Sequence, residues 1–178
     1  MKRVLVIGIS GAGKSTLSRV LAARTALPLI HLDREYWLPG WQMPPREQWR
    51  FKVRELSARD RWIMDGNFDS SLDIRLPRAD TLIWFDFPAL RCIWRAVKRA
   101  ASSYGRVRPD MGEGCPERID VEFLRYIARF NGIQRPRIAA QIAAHGAHLV
   151  PNVIRTDGEA RAVLARLAPS PAPMSAVI

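Results

Sequence analysis

The sequence contains few of the residues that build disulfide frameworks and structural metal sites. Only two of its 178 residues are cysteine, Cys92 and Cys115, and neither lies in a C-x-x-C pair. Isolated cysteines favour neither a disulfide-bonded domain nor a zinc site. Of the three histidines, His145 and His148 have the spacing of a helical metal pair. Gly146 interrupts the helix between them, so we interpret both histidines as structural.

Long apolar runs are also missing. No stretch approaches the roughly 18 consecutive apolar residues of a membrane-spanning helix, and the first residues enter a strand-like run at once in place of a signal-peptide pattern. We therefore expect a cytoplasmic protein without a membrane partner. With 48% hydrophobic residues the chain can fill one core. We expect a single domain over residues 1–167 and a low-complexity tail over residues 168–178.

Acidic side chains and lysines are in the minority. Lysine and arginine number 28 against 17 aspartate and glutamate residues, which gives a formal net charge of +11, and the only lysines are Lys2, Lys14, Lys52 and Lys98. This charge suits a polyphosphate ligand, and it also suits nucleic acid. A general arginine bias on solvated faces would produce the same charge. Net charge alone therefore leaves the ligand class open.

One motif does identify a ligand class. Residues 8–15 fit G-x-x-x-x-G-K-[ST] without a gap; the apolar run 3–7 precedes them, and helical spacing begins at Ser15. Strand, glycine-rich loop and helix form the context of a phosphate-binding loop. The alternative is a glycine-rich turn followed by a chance Lys-Ser pair.

The loop predicts a nucleoside triphosphate, ATP or another NTP, together with Mg²⁺. Its glycines let backbone N–H groups approach a phosphate, with the positive end of the next helix behind them. Lys14 is expected to reach the β- and γ-phosphates, and Ser15 to ligate Mg²⁺. The predicted nucleotide contacts in this region are Gly8, Ser10, Gly11, Ala12, Gly13, Lys14, Ser15 and Thr16.

The rest of the chain alternates between strand and helix patterns. Further strands are predicted at 28–32, 62–64, 81–85 and 148–155. Helical patterns cover 46–58, 72–76, 88–103, 119–130, 136–145 and 158–167. This alternation indicates an α/β fold in which helices cover both faces of a parallel sheet. Ligands are then expected at the carboxyl ends of the strands.

Three aspartates follow predicted strands. Asp65 is the candidate carboxylate for Mg²⁺ opposite Ser15 and a substrate-site residue, although Asp-Gly is also a common turn. Asp33 is the candidate catalytic residue on the side of the phosphoryl acceptor, where it could orient or deprotonate a hydroxyl or help to place the metal. The alternative for Asp33 is a helix N-cap. Asp86 is predicted to cap the helix that follows it.

An aromatic loop follows Asp33. Trp37 and Trp41 flank a Pro-Gly turn in it. Such side chains can stack on a planar acceptor or cover the core from outside, and we favour the second while keeping Trp37 as a candidate substrate contact.

Arginines recur on both sides of a Gly- and Pro-rich stretch at about 104–118, which is predicted to be a mobile lid. Arg91, Arg95 and Arg99 lie four residues apart before it, and Arg118, Arg125 and Arg129 follow it. Basic helices around a loop are suited to closing arginines over a phosphoryl group. We expect about half of these arginines to touch phosphate, the rest being solvated. The candidate nucleotide contacts are Arg95, Arg99, Arg106, Arg108 and Arg129. The candidate catalytic residues, besides Asp33, are Lys14, Arg99 and Arg118.

These motifs resemble the adenylate-kinase-like branch of the P-loop small-molecule kinases. The similar segments are the loop 8–15, Met64-Asp65-Gly66, Ala79-Asp80 and Phe85-Asp86-Phe87-Pro88. The resemblance implies a P-loop NTPase fold of the nucleoside-monophosphate-kinase type, a three-layer α/β/α sandwich with five parallel strands in the order 2-3-1-4-5.

A more specific resemblance is to bacterial proteins named DNA topology modulation proteins. Its similar segments are 31–33, 37–41, 65–67 and 108–118. That name raises a second hypothesis, a nucleotide-dependent DNA-binding or regulatory protein, and a third is an NTP-binding module with slow hydrolysis. No helix-turn-helix or other DNA-reading motif is present in the sequence.

The favoured hypothesis is an enzyme that transfers the γ-phosphate of ATP to a small acceptor. Adenylate kinases continue Asp-Gly with Phe-Pro-Arg, whereas Asn67-Phe68-Asp69 stands here. AMP is therefore not the expected acceptor, and Arg75 becomes the nearest basic residue for an acceptor phosphate. We expect a monomer or a small homo-oligomer.

Overall fold

The computed structural model describes residues 1–168, so the predicted tail, apart from Ala168, lies outside the described residues. Five strands form one sheet in the order β2-β3-β1-β4-β5, and every neighbouring pair is parallel. The strands are β1 (Arg3–Gly8), β2 (Leu29–His31), β3 (Trp62–Asp65), β4 (Thr81–Phe85) and β5 (Asn152–Ile154). The predicted strand number, direction and order are confirmed.

Residues 1–168 form seven α-helices, which flank the sheet. They are α1 (Lys14–Thr25), α2 (Leu32–Tyr36), α3 (Arg46–Ala58), α4 (Leu72–Arg75), α5 (Ala89–Ser102), α6 (Val121–His145) and α7 (Asp157–Leu167). Short 3-10 turns at Asp69–Ser71 and Leu76–Arg78 flank α4. None of the helices formed by residues 1–168 combines the length and apolar character needed to span a lipid bilayer.

The central strand explains why the sheet is covered on both faces. Val4, Leu5, Val6 and Ile7 of β1 are fully buried. A continuous apolar run without alternation is typical of a parallel strand that has helices above and below it. The result is a three-layer α/β/α arrangement with β1 at its centre.

The register of the sheet brings the carboxyl ends of the strands level. Asp65 of β3 is paired with Val6 of β1 and with His31 of β2. On the other side, Phe85 of β4 is paired with Gly8. The ends of four strands therefore meet around the start of the 8–15 loop.

The two helices predicted at 119–130 and 136–145 are wrong as separate elements, since α6 runs through both segments with Pro136 inside it. Buried residues continue along one face across this position, with Ile127 and Phe130 before it and Ile138 and Ile142 after it. Packing of this continuous face outweighs the hydrogen bond that proline removes.

The predicted capping role of Asp86 is also wrong. Helix α5 has Pro88 at its N-cap position and no side-chain cap. The Asp86 carboxylate instead accepts hydrogen bonds from Arg135 of α6, at 2.8 Å from Nε and 3.1 Å from Nη2. An ion pair thus joins the end of β4 to the long helix.

Candidate active site

The phosphate-binding loop is built between β1 and α1 by glycines that no larger residue could replace without movement. Gly8 and Gly11 have φ angles of 128° and 86°. A Cβ atom at Gly8 would lie 2.1 Å from the carbonyl oxygen of Phe85, and one at Gly11 would lie 2.4 Å from that of Cys92. The strand β4 and the helix α5 therefore press directly against the loop, which fixes its shape.

The first turn of α1 points into the site without a side-chain cap, because its N-cap residue is Gly13. Its N–H groups and the positive end of the helix dipole are therefore available to an anion. Lys14 lies at this point, and its Nζ donates to the carbonyl oxygen of Ile9 at 3.1 Å. Burial lowers the pKa of Lys14, while Asp33 and Asp65 oppose that shift.

A cavity of about 1240 Å³ opens in front of this loop. Five predicted site residues do not line it: Gly8, Asp65, Arg75, Arg106 and Arg129. The structure thus brings together the greater part of the predicted site. The predicted residues that line the cavity are Ser10, Gly11, Ala12, Gly13, Lys14, Ser15, Thr16, Asp33, Trp37, Arg95, Arg99, Arg108 and Arg118.

Asp33 is the carboxylate that faces the cavity beside Lys14. It lies in the first turn of α2, whose N-cap residue is His31, so the alternative of an N-cap role for Asp33 does not hold. Burial raises the pKa of Asp33 to about 6, against the opposing charge of Lys14. Asp33 is therefore poised to gain or lose a proton near neutral pH.

Asp65 occupies a different position, 2% exposed at the end of β3. Its Oδ2 lies 3.0 Å from Nδ1 of His31. Burial lowers the pKa of His31, but the hydrogen bond and the charge of Asp65 outweigh burial and leave that pKa above its usual value. The predicted metal carboxylate is thus already paired with a histidine.

Two arginines of α5 line the cavity, and one of them contacts the phosphate loop. Arg95 donates to both carboxylate oxygens of Asp157, at 3.0 and 2.8 Å, and its Nη1 lies 3.5 Å from the carbonyl oxygen of Ala12. One turn later, Arg99 is 3.5 Å from Glu117. Burial and the neighbouring Arg108 lower the pKa of Arg99, which is consistent with a guanidinium held for an incoming anion.

The segment predicted to be a lid, residues 104–118, is folded back on itself by backbone hydrogen bonds. Gly105 donates to the carbonyl oxygen of Glu117 at 2.9 Å, and Glu117 donates to that of Arg106 at 2.9 Å. Arg108 pairs with Asp110 at 3.0 Å and with Glu117 at 2.5 Å. Arginine and carboxylate are therefore already matched within the lid.

The aromatic loop after α2 docks on this lid. Gly40 donates to the carbonyl oxygen of Gly114 at 3.0 Å, and the Trp41 indole N–H donates to that of Pro116 at 3.2 Å. Trp37 and Trp41 also line the cavity. The favoured interpretation of these tryptophans as cover for the core is therefore wrong, and Trp37 stays a candidate substrate contact.

Arg75 is not placed to meet a substrate. It is fully buried, and its guanidinium donates to the carbonyl oxygens of Gly66 and Phe68 at 2.9 Å each and to that of Asn67. Burial lowers the pKa of Arg75 to about 9. Arg75 therefore holds the loop after β3, which corrects the prediction that it contacts an acceptor phosphate.

Arg106 and Arg129 are exposed side chains on the lid and on α6, away from the cavity lining. Their predicted contacts with the nucleotide are not part of this arrangement. Arg118 does line the cavity, but it pairs with Asp120 at 3.2 Å and stacks over the Trp41 ring at 5.5 Å.

Asn67 contacts the phosphate loop, a role that was not predicted from the sequence. Its Oδ1 accepts the backbone N–H of Gly8 at 2.7 Å. The signal was present, since Asn67 follows the Asp-Gly pair at the point where the sequence departs from adenylate kinases. Asp110 and Glu117, two of the lid carboxylates, belong to no recognisable motif, so their pairing with Arg108 could not be predicted from the sequence.

The residues present fit a magnesium ion bound together with phosphates. Within residues 1–168 no group of three or more His, Cys, Asp or Glu side chains is arranged to hold a metal by itself. Mg²⁺ in triphosphate sites is held largely by phosphate oxygens, water and one or two protein groups. Ser15 and Asp33 line the cavity, whereas Asp65 does not line it and is paired with His31.

No protein-family model matches the sequence, and no curated protein matches it. Solved structures do match nearly the whole chain. A gluconokinase from Sinorhizobium meliloti 1021 is 20% identical with a TM-score of 0.55, covering 94% of this chain and 93% of that chain. The protein has the fold of P-loop kinases.

Two shikimate kinases give the same result. The enzyme from Acinetobacter baumannii, solved in complex with shikimate, is 18% identical with a TM-score of 0.58 and covers 94% of this chain and 90% of that chain. The enzyme from Bacteroides thetaiotaomicron is 16% identical with a TM-score of 0.51 and covers 93% and 95%. The expected kinase-type fold is thereby confirmed, whereas the resemblance to DNA topology modulation proteins stays a prediction.

Proposed function

We propose that the protein is a phosphotransferase that moves the γ-phosphate of ATP to a hydroxyl group of a small acceptor. One observation carries this proposal: the phosphate loop, the titratable Asp33 and arginines from two sides open onto the same cavity. A binding module would need the loop alone. The combination of a triphosphate site, a candidate base and lid arginines is what phosphoryl transfer requires.

The phosphate end of the nucleotide is assigned to the loop and α1. The N–H groups at the start of α1 surround the β-phosphate, and Lys14 and Arg99 stabilise the charge on the transferred group. Val20, Ala160 and Leu164 give the far end of the cavity an apolar lining suited to the base. Arg95, fixed by Asp157, holds the loop from the side of α5.

Asp33 is assigned to the acceptor hydroxyl. The hydroxyl oxygen forms a bond to the γ-phosphorus, the bond from that phosphorus to the β,γ-bridging oxygen breaks, and ADP leaves. The hydroxyl proton passes to Asp33, whose pKa of about 6 allows it to be ionised at neutral pH and to hold a proton afterwards. Mg²⁺, held by Ser15 with Asp33 and Asp65 beside it, would neutralise phosphate charge. Residues 104–118 would act as the lid.

The resemblance to DNA topology modulation proteins is consistent with this proposal. Its shared segments supply Asp33, Trp37, Asn67 and Arg108, and all four line the cavity. Those motifs therefore surround a small-ligand site and do not form a basic face for DNA. Two of the three arginines of the lid, Arg108 and Arg118, are paired with carboxylates, which reduces the charge that this segment offers to a duplex.

The test is ATP consumption by the purified protein with Mg²⁺ against a panel of nucleosides, nucleotides, sugars and hydroxy acids. Lys14→Ala is expected to lose about 10²-fold or more in acceptor-dependent turnover. Lys52→Ala is the matched control, because Lys52 pairs with Glu35 on the surface and does not line the cavity. Turnover that rises with DNA and with no small acceptor would contradict the proposal, and so would ADP binding that is unaffected by Lys14→Ala.

A further inference from the structure

The wall of the cavity opposite the phosphate loop has a distinct composition. Its lining side chains come from residues 33–41, 66–69, 108–120 and the start of α6, and we call this surface the acceptor wall. A phosphoryl acceptor must lie against it, since the loop and α1 form the other side. The charges and rings of this wall therefore decide which acceptors fit.

Every cation that the described residues place on the acceptor wall has a carboxylate partner. Two arginines are present there, Arg108 and Arg118. Arg108 lies 3.0 Å from Asp110 and 2.5 Å from Glu117. Both of those carboxylates are only 7% exposed, so solvent screens these pairs weakly. Arg118 lies 3.2 Å from Asp120. No free guanidinium is left on this wall for an anionic group of an acceptor.

Further carboxylates add negative charge to the acceptor wall. Asp33 and Asp69 line the same wall as Asp110. A carboxylate or phosphate on the acceptor would enter a partly desolvated site beside these groups with no unpaired positive partner. Burial of an unpaired charge is strongly unfavourable, whereas hydroxyl groups can donate to the same carboxylates.

The remaining lining of the wall is aromatic. Tyr36, Trp37 and Trp41 form a chain of edge-to-face contacts, with centroid distances of 5.0 Å and 5.5 Å. Phe123 and Tyr126 approach from α6, with nearly parallel rings 6.4 Å apart. Aromatic rings held in this way offer a surface for the flat or apolar face of a cyclic ligand.

We infer that the phosphoryl acceptor is an uncharged cyclic compound with several hydroxyl groups, the chemistry shared by nucleosides and cyclic sugars, and not a carboxylate- or phosphate-bearing compound. The inference rests on the proposed kinase function and specifies its substrate class. One hydroxyl faces Asp33 and attacks the γ-phosphorus with loss of its proton, and the others donate to the wall carboxylates. The ring packs on the aromatic side chains.

The test compares uncharged compounds with their charged counterparts: adenosine with AMP, glucose with gluconate, and the methyl ester of shikimate with shikimate. Transfer of ³²P from ATP to each is measured. We expect the uncharged member of an accepted pair to be preferred by at least about ten-fold in kcat/KM. The first pair reports a nucleoside site, and the second a sugar site.

A variant of the acceptor wall tests whether the pairing of Arg108 with carboxylates causes this preference. Asp110→Asn releases Arg108 from one partner, so the preference for the uncharged member is expected to shrink several-fold. Glu113→Gln is the matched control, because Glu113 is an exposed lid carboxylate that does not line the cavity. Its preference should equal that of the wild type. Thermal melts establish that both variants are folded, and Glu117→Gln repeats the test if Asp110→Asn is not.

The outcomes separate the two proposals. Preference for a charged member, or an Asp110→Asn preference equal to that of Glu113→Gln, overturns the inference and leaves the kinase function standing. ATP binding without transfer to any compound, charged or uncharged, overturns the kinase function and with it the inference.

Discussion

The side-chain oxygen of Asn67 accepts the backbone N–H of Gly8 at 2.7 Å, which ties the first glycine of the phosphate loop to the segment after β3. A second hydrogen bond, from the N–H of Gly66 to the carbonyl oxygen of Val6 at 3.1 Å, also joins the segment after β3 to β1. On its other side Asn67 interacts with Tyr126 of α6, whose pKa is raised by burial and lowered in part by the asparagine. Asn67 therefore connects the phosphate loop to the helix that follows the lid.

Asn67→Ala is expected to weaken both stability and nucleotide binding. Loss of an acceptor for a part-buried N–H costs about 1–2 kcal/mol of unfolding free energy, and a loosened loop should bind ADP roughly 3–10-fold more weakly. Asn152→Ala is the control, because it also removes side-chain hydrogen bonds, one to the carbonyl oxygen of Leu82 at 2.9 Å and one from Arg166, at a residue that does not line the cavity. Calorimetric titration with ADP distinguishes them; equal affinities in the two variants would show that Asn67 has no role in the loop.

The activity is expected to rise with pH through the titration of Asp33. A base must be ionised to accept a proton, and burial raises the pKa of Asp33 to about 6. A plot of log(kcat/KM) against pH should therefore climb below pH 6 and level off above it. A profile that is already flat between pH 5 and 7 would exclude Asp33 as the base.

Stability measurements give an independent check on the same group. Because burial raises the pKa of Asp33 to about 6, above its ordinary value of 3.8, the folded protein holds the proton to a higher pH than the unfolded chain does. Stability therefore falls as the pH rises from about 4 to 6. Asp33→Asn removes that penalty. It should be more stable than the wild type by about 1–3 kcal/mol above pH 6, with the difference vanishing below about pH 4. Urea denaturation at several pH values measures it.

Gly112→Ala is expected to separate the lid from the aromatic loop. A Cβ atom at Gly112 would lie 2.1 Å from the carbonyl oxygen of Trp37, so the two segments must move apart at a cost of about 1–3 kcal/mol. Tryptophan fluorescence should shift as Trp37 and Trp41 gain solvent. Gly132→Ala is the control in α6, where nothing lies within 4 Å, and should stabilise the protein by about 0.5–1 kcal/mol. Unchanged fluorescence in Gly112→Ala would contradict the docking.

The sheet could be predicted from the sequence because its information is local. Strand β1 is a short apolar run that leads into a complete loop motif, and each later strand ends at a helix or turn signal. The continuity of α6 could not be predicted in this way. Pro136 is a strong local signal for a helix end, and the buried face that carries the helix past it, with Phe130 and Ile138, forms only when α6 packs against α4 and α5.

The site residues also differ in whether local sequence determines their place. The residues from Ser10 to Thr16 line the cavity because the motif alone determines their place. The sequence could not predict which arginines line the cavity unpaired and which pair with protein groups, because a guanidinium binds whichever carboxylate or carbonyl group the fold brings near it. Arg95 pairs with Asp157, which is 62 residues away in the sequence, and Arg108 pairs with two carboxylates of the lid. Spacing along a helix carries no information about such partners.

Arg75→Met is expected to destabilise the segment after β3 without removing a contact to a substrate. The buried guanidinium donates to the carbonyl oxygens of Gly66, Asn67 and Phe68, and Phe68 is held at a φ of 38°, which is uncommon for a side-chain-bearing residue. Loss of these bonds leaves buried carbonyl groups unpaired and should cost about 2–5 kcal/mol. Arg75→Lys should recover only part of this, because one ammonium cannot span three acceptors.

Thermal melts and steady-state kinetics together decide the role of Arg75. Arg78→Met is the control, since Arg78 also donates to carbonyl oxygens, those of Ser57 and Ala58 at 3.2 Å each, but at a more exposed position. It should lose less than half as much stability. An Arg75→Met protein that melts like the wild type but has a raised KM for its phosphoryl acceptor would contradict this role. That result would indicate that the guanidinium binds the substrate and not the carbonyl groups of the segment after β3.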